Sequence, residues 1–170
     1  EKIDVTNAQL LITEAGAIFA GSRTKFITPS DDNHGFAKWV EGNKNELLAL
    51  GPGRHFGEWW GSGIQRGYGL QKGEKRFSLF NVIRWAAAGT EPKIISSNLG
   101  VDKLQSVLPQ CCCLVPELYR GNFDTQVINE ILEDLRLTGS RAVRGFLKPE
   151  GVVVFHTAAI VGFKKTIEKD

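Results

Sequence analysis

Glycine is concentrated in residues 51–73, where it is interleaved with aromatic and charged side chains. His55-Phe56 and Glu58-Trp59-Trp60 stand between these glycines, and Gly61-Ser62-Gly63 and Arg66-Gly67-Tyr68 follow. Repeated glycine interrupts regular structure and allows the backbone to approach another group closely. The stretch therefore predicts a short strand that enters a long glycine-rich loop.

The rest of the chain shows both strand and helix patterns. Strands are predicted as a hairpin over residues 7–20, as single strands over 76–82 and 111–115, and as a closing hairpin over 151–163. Helices are predicted over residues 36–48, with a break near Gly42, and from a cap at Asp124 or Thr125 to Gly139. Neither a repeat nor a linker divides the chain, so we predict a single α+β domain over residues 1–170, rich in antiparallel strands.

Composition excludes several classes of protein. The 170 residues are 42% hydrophobic and carry a net charge of +2. A chain of this length buries roughly 70% of its unfolded surface, so its core needs neither disulfides nor a structural metal. The small net charge gives no global attraction to nucleic acid or to a membrane surface, and any contact with nucleic acid must be local.

The cysteines and the apolar runs indicate the compartment. Cys111, Cys112 and Cys113 are adjacent, which suits neither a disulfide framework nor a zinc site. No apolar run approaches the roughly 18 residues of a membrane span, and no secretory leader is recognisable. We therefore expect a reducing, cytoplasmic setting and no membrane partner. Because the sequence begins at Glu1 rather than at a methionine, we also expect upstream residues.

The first residues carry the strongest chemical signal. Lys2-Ile3-Asp4-Val5-Thr6-Asn7 brings an amine, a carboxylate, a hydroxyl and an amide together in a short segment. A lysine attacks phosphorus or a carbonyl only as the neutral amine, which requires burial, cationic neighbours or a metal because the pKa of a free lysine is about 10.4. Taken alone, an exposed lysine at a strand end is the simpler interpretation.

This hexapeptide resembles the Lys-x-Asp-Gly-Thr-Asn motif of the covalent nucleotidyltransferases, the superfamily of RNA ligases, DNA ligases and mRNA capping enzymes. Further similarities follow in the order of that superfamily: Ser22-Arg23, Phe56-Gly57-Glu58, Phe77-Ser78-Leu79-Phe80-Asn81, Glu150-Gly151-Val152-Val153 and Phe163-Lys164-Lys165. The residues from His55 to Gly61 are most similar to the ATP-dependent RNA ligase branch found in phages and bacteria. The motifs span nearly the whole chain.

The resemblance implies a fold and a reaction. The fold is an ATP-grasp-like nucleotidyltransferase domain, with two antiparallel β-sheets, flanking helices and a nucleotide groove between the sheets. The reaction uses ATP and Mg²⁺ or Mn²⁺ to adenylate the motif lysine, transfers AMP to a 5′-phosphate end, and seals that end with a 3′-hydroxyl. The implied partners are RNA or nicked nucleic-acid ends, and a monomer is favoured although the sequence does not fix the oligomeric state.

The resemblance also implies a role for each motif residue. Lys2 is the nucleophile and Glu150 holds the divalent cation. Phe80 lies on the adenine, Glu58 accepts hydrogen bonds from the ribose, and Arg23 contacts the sugar or a terminal phosphate. Lys164 and Lys165 bind the α-phosphate. The remaining residues expected at the nucleotide are the neighbours of Lys2 in the first motif: Glu1, Ile3, Asp4 and Asn7.

Several alternatives stay open on the sequence. A DNA ligase or a GTP-using capping enzyme shares these motifs. Val5 stands where the pattern has glycine, and if that position needs a positive φ the valine costs roughly 1–2 kcal/mol, which leaves a catalytically silent nucleotide- or RNA-end-binding module as a second class. Trp59 and Trp60 are either core residues or stacking platforms for bases, with core favoured for at least one. The histidines are interpreted as structural: His34, His55 and His156.

Overall fold

The structure, a computed structural model, describes residues 1–3, 5–80, 94–95, 103–104 and 108–167. Its contacts group into two compact units. The first, here called the sheet unit, consists of Thr6–Trp59 and Arg76–Leu114. The second, the hairpin unit, consists of Glu1–Val5, Trp60–Lys75 and Val115–Asp170. The mixed α+β class is confirmed, whereas the single domain stays a prediction.

A six-stranded sheet organises the sheet unit. Its strands are β1 (Thr6–Ile12), β2 (Ile18–Ser22), β3 (Phe26–Ile27), β4 (Gly53–Gly61), β5 (Lys75–Leu79) and, further along the chain, β8 (Cys112–Leu114). They lie in the order β3-β2-β1-β4-β5-β8. Two short strands, β6 (Ile94–Ile95) and β7 (Lys103–Leu104), pair separately and antiparallel.

The predicted first hairpin is confirmed. β1 pairs antiparallel with β2, and the turn between them is closed by a hydrogen bond of 2.9 Å from the Gly16 N–H to the carbonyl of Thr13. The apolar residues Ala8, Leu10 and Ile12 alternate along β1 and are buried, and the polar Gln9 between them is buried as well. This alternation is what a strand with one face on the core requires.

Two helices follow the hairpin, α1 (Phe36–Gly42) and α2 (Lys44–Leu47). The break expected near Gly42 lies at Asn43, whose side-chain amide donates to the Trp39 carbonyl over 2.7 Å. Phe36 packs its ring 5.3 Å from Trp59 and 5.1 Å from Phe77, so α1 covers the core face of the sheet. Aromatic pairs at these distances add stability beyond their buried area.

The hairpin unit contains α3 (Thr125–Thr138), β9 (Gly151–His156) and β10 (Val161–Thr166). Asp124 caps α3 by accepting a hydrogen bond from the Gln126 N–H over 2.7 Å, as the sequence predicts. Gly139 follows the helix at φ +86°, and β9 and β10 form the predicted closing hairpin.

Two expectations about strands are wrong. The strand expected to be short is β4, which runs through the glycines from Gly53 to Gly61. The sheet is not wholly antiparallel, because β8 pairs in parallel with β5. The last predicted residues of the strand over 76–82, Asn81 and Val82, lie outside the described residues.

Within the residues that the structure describes, no helix is both long and apolar enough to cross a membrane.

Candidate active site

Lys2 is held by its backbone and by its ammonium group. Its backbone N–H donates to the Gly151 carbonyl over 2.8 Å in an antiparallel bridge, and its Nζ forms an ion pair with Glu150. The two side chains are only 16% and 15% exposed. The next residue, Ile3, is buried with Trp60 and Tyr68, which fixes the position of the segment.

Glu1 anchors the same segment. Its carboxylate accepts hydrogen bonds from the Ser140 hydroxyl over 2.5 Å and from the backbone N–H groups of Arg141 and Ala142 over 2.6 and 3.1 Å. Hydrogen bonds from these three donors to a charged acceptor hold the Glu1 carboxylate in place. The side chain of Glu1 therefore positions Lys2, and its predicted contact with the nucleotide stays untested.

Lys164 and Lys165 are neighbours on β10, opposite Val153 and Val152 of β9. Successive side chains of a strand point to opposite faces, so the two lysines leave the hairpin in opposite directions. Lys165 donates to the Asn129 side chain of α3. Lys164 therefore lies on the face of the hairpin that points away from α3.

The sheet unit brings a second set of predicted residues together. Asn7 lies opposite Glu58 in the β1–β4 register, and its amide Nδ2 is 3.3 Å from each carboxylate oxygen of Glu58. The Phe80 N–H donates to the Phe56 carbonyl over 3.0 Å, and the Phe80 ring is 41% exposed. Arg23 lies in the exposed turn between β2 and β3.

The two tryptophans belong to the core. Trp59 and Trp60 are each 1% exposed, so neither offers a ring face to a base. His55 is also buried, and its Nε2 lies 2.8 Å from the Gly51 carbonyl, in line with a structural role.

Val5 does not have the positive φ that would strain a β-branched residue. Among the non-glycine residues that the structure describes, positive φ occurs at His34, Gln65, Tyr68 and Ile160, and Val5 is not among them. Its side chain packs instead against the buried cluster of Ile3, Trp60 and Tyr68. Backbone strain at Val5 therefore gives no support for a catalytically silent module.

The residues present suit a cation that is held partly by a substrate. Within the described part of the chain, no group of three or more histidine, cysteine, aspartate or glutamate residues could hold a metal. Mg²⁺ is typically bound by one or two carboxylates together with phosphate oxygens and waters. Glu150 would supply one such carboxylate, whereas Asp4 and Asn81 lie outside the described residues.

Sequence reasoning missed Gln9 and Arg54. Arg54 alternates with Phe56 and Glu58 on one face of β4, and the Arg54 Nη1 donates to the Gln9 Oε1 over 2.7 Å. The period-two pattern of β4 was the available signal, but it was hidden because the glycines suggested a loop.

Comparison with known protein families identifies a match over nearly the whole chain. A family model described as RNA ligase matches residues 1–169. No curated protein matches the chain significantly.

Proposed function

Because this chain belongs to the RNA ligase family, we propose that it is an ATP-dependent enzyme that joins a 5′-phosphate end of RNA to a 3′-hydroxyl end. Lys2 loses a proton and attacks the α-phosphorus of ATP, so that a P–N bond forms and the bond to the pyrophosphate oxygen breaks. An oxygen of the 5′-phosphate then displaces the lysine and takes the AMP. Finally the 3′-hydroxyl loses its proton, attacks the activated 5′-phosphate and releases AMP.

The observation that carries this proposal is the ion pair between Lys2 and Glu150, two motif residues that the chain brings together from distant positions. The pair and the bridge to Gly151 restrict the amine to one place, which lowers the entropy cost of reaching an attack geometry. In this pair the Nζ of Lys2 is engaged by the Glu150 carboxylate and is not directed at a phosphorus atom. Attack therefore requires Glu150 to exchange Lys2 for another partner.

In the proposed reaction Glu150 would exchange Lys2 for a divalent cation. When bound, Mg²⁺ or Mn²⁺ neutralises phosphate charge and stabilises the pyrophosphate leaving group. Glu150 is the residue that would hold it, and a carboxylate engaged with a cation would no longer pair with the Nζ of Lys2. Of the two lysines on β10, Lys164 is the better candidate to bind the α-phosphate, because Lys165 donates to the Asn129 side chain.

The sheet unit supplies the proposed contacts to the nucleoside. Glu58 accepts hydrogen bonds from the ribose hydroxyls, and the amide of Asn7 holds its carboxylate in place. Phe80 offers an exposed ring to the adenine, a contact that any purine accepts. Arg23 lies outside the sheet core and, in this proposal, contacts a terminal phosphate with its planar guanidinium.

Intact mass spectrometry after incubation with ATP and Mg²⁺ tests the proposal. We expect the mass to increase by one AMP, with ATP but not with GTP, and the increase to disappear in Lys2→Ala. Lys148→Ala is the matched control, because Lys148 is an exposed lysine of the same unit and of no motif. An adduct that persists in Lys2→Ala, or no adduct in the wild type, contradicts the proposed nucleophile. An adduct with GTP favours a capping-type enzyme.

A further inference from the structure

One face of the six-stranded sheet carries aromatic side chains, of which the proposed reaction uses only Phe80. The register places Phe56 of β4 opposite Gln9 of β1, and Gln9 opposite Gly21 of β2. Gly21 in turn lies opposite Phe26 of β3. The hydrogen bond from Phe80 to the Phe56 carbonyl extends this line toward β5.

The rings on this face are open to solvent. Phe19, which is 6.0 Å from Phe26 between ring centroids, joins the line on β2. The four residues are 41–51% exposed and are called the aromatic row below: Phe19, Phe26, Phe56 and Phe80. Phe19 and Phe26 form a ring pair, and Gln9 and Gly21 stand between Phe26 and Phe56. Exposed apolar surface that is rimmed by polar residues marks an interaction site.

Arg54 is fixed beside the aromatic row. Its guanidinium carbon lies 5.5 Å from the centre of the Phe26 ring, and its Nη1 donates to Gln9. The Gln9 side chain extends onto β2, where its Nε2 donates to the Ser22 carbonyl over 2.7 Å. Gly21 makes this possible, because a Cβ there would lie 2.8 Å from the Gln9 Cγ. The bond to Gln9 uses one of the five N–H groups that a guanidinium carries.

We propose that Phe19, Phe26 and Phe56 of the aromatic row bind unpaired nucleotides of the RNA substrate together with Arg54. Bases stack on these three rings and a phosphate lies on Arg54, while Phe80 stays with the adenine. This inference rests on the proposed function and names its substrate class as RNA with single-stranded residues at the site. Aromatic faces stack on any base, and the positive charge of Arg54 complements the phosphate backbone. Bases inside a continuous duplex are stacked already and cannot use such a surface.

The position of the row agrees with this role. Asn7 and Gln9 are two residues apart on β1, so their side chains share one face of the sheet. The pair formed by Asn7 and Glu58 therefore lies directly beside the row. An RNA chain that binds along the rings would therefore lead to Asn7 and Glu58, the residues proposed to hold the ribose.

Fluorescence anisotropy with a short, labelled, single-stranded RNA and the same sequence as a blunt duplex tests the proposal. Phe26→Leu and Phe56→Leu keep an apolar side chain but remove the ring. We expect each to weaken single-strand binding roughly 5- to 150-fold, which corresponds to the ~1–3 kcal/mol of one stacked base. Phe56→Tyr should restore binding, and duplex binding should change little. Phe123→Leu, an equally exposed phenylalanine of the hairpin unit, is the matched control.

Unchanged single-strand binding in both leucine variants overturns the proposal and leaves an apolar protein partner as the occupant of the row. An equal loss in Phe123→Leu overturns it as well. The wild-type protein gives a test that needs no variant, because a 2-aminopurine in the RNA should be quenched when it stacks on a ring, and unquenched binding contradicts stacking. Lysyl-AMP formation is measured separately, so failure of adenylation with intact RNA binding removes the proposed reaction but not the surface.

Discussion

Replacing Gly151 by alanine should disrupt the structure that holds Lys2. Gly151 has φ +147°, and a Cβ on it would collide with the Lys165 carbonyl oxygen and lie 2.7 Å from the Thr166 Cα. Both neighbours are backbone atoms of β10 and cannot rotate away. The strain of a positive φ costs about 1–2 kcal/mol, and overpacking adds about 1–3 kcal/mol. We therefore expect Gly151→Ala to lower the free energy of unfolding by roughly 2–5 kcal/mol.

Two other glycines of the hairpin unit separate these contributions. Gly145 has φ +87°, and a Cβ added to it would have no neighbour within 4 Å, so Gly145→Ala should show the conformational strain alone. Gly162, on β10, has neither a positive φ nor a neighbour within 4 Å of such a Cβ, so Gly162→Ala should be neutral or slightly stabilising.

Urea unfolding followed by circular dichroism measures all three variants. With a slope of about 2 kcal/mol per molar urea, Gly151→Ala should move the midpoint by roughly 1–2.5 M. Adenylation should fall with it, because the Gly151 carbonyl accepts the Lys2 N–H and Glu150 immediately precedes it. If Gly151→Ala is no less stable than Gly145→Ala, the close approach of β10 to Gly151 is not a constraint and the reasoning is refuted.

Three further predictions concern other parts of the two units. Ser140→Ala should lower the free energy of unfolding by about 1–3 kcal/mol, as measured by thermal unfolding. The substitution removes the hydroxyl that donates to the Glu1 carboxylate at a buried position. Val5→Gly should destabilise the protein by about 1–2 kcal/mol through lost packing and should not raise adenylation in the mass-spectrometric assay. Limited alkylation near neutral pH should modify Cys111 before Cys112, as read by peptide mapping. A hydrogen bond from Cys112 lowers the pKa of Cys111, and the same contact together with burial raises the pKa of Cys112.

The Ser140 prediction has a control variant, and each of the three has an outcome that would contradict it. Ser30→Ala removes an exposed hydroxyl and should change stability by no more than about 0.5 kcal/mol, and an equal loss there would show that the Ser140 contact is not special. Faster adenylation in Val5→Gly would restore the argument that Val5 disables the site. Preferential labelling of Cys112 would show that its burial does not protect it.

Local chemistry in the sequence predicted much of the secondary structure. The alternation along β1 and the Asp124 cap of α3 are decided within a few residues, so pattern and propensity suffice to find them. The parallel pairing of β5 with β8 could not be predicted in this way. No local preference distinguishes a parallel from an antiparallel partner when the strands are far apart in the chain.

In the candidate site, too, the residues could be predicted from the sequence but their contacts could not. The resemblance named Lys2 and Glu150, but their ion pair depends on contacts between residues separated by 148 positions. Arg54 lies over Phe26 while it is bonded to Gln9, and the Gln9 side chain has room over β2 because Gly21 has no Cβ. Such an arrangement depends on the lateral order of four strands, and that order is a tertiary property.

The separation of Lys2 from Glu150 has a consequence for synthesis of the protein. During translation Lys2 leaves the ribosome long before Glu150 and Gly151 exist, so a growing chain has the amine without the partners that hold it. Closing so long a loop is entropically costly and comes late in folding. An incomplete chain therefore lacks the contacts that hold Lys2, and the paired arrangement of Lys2 with Glu150 is limited to molecules whose synthesis has passed β9.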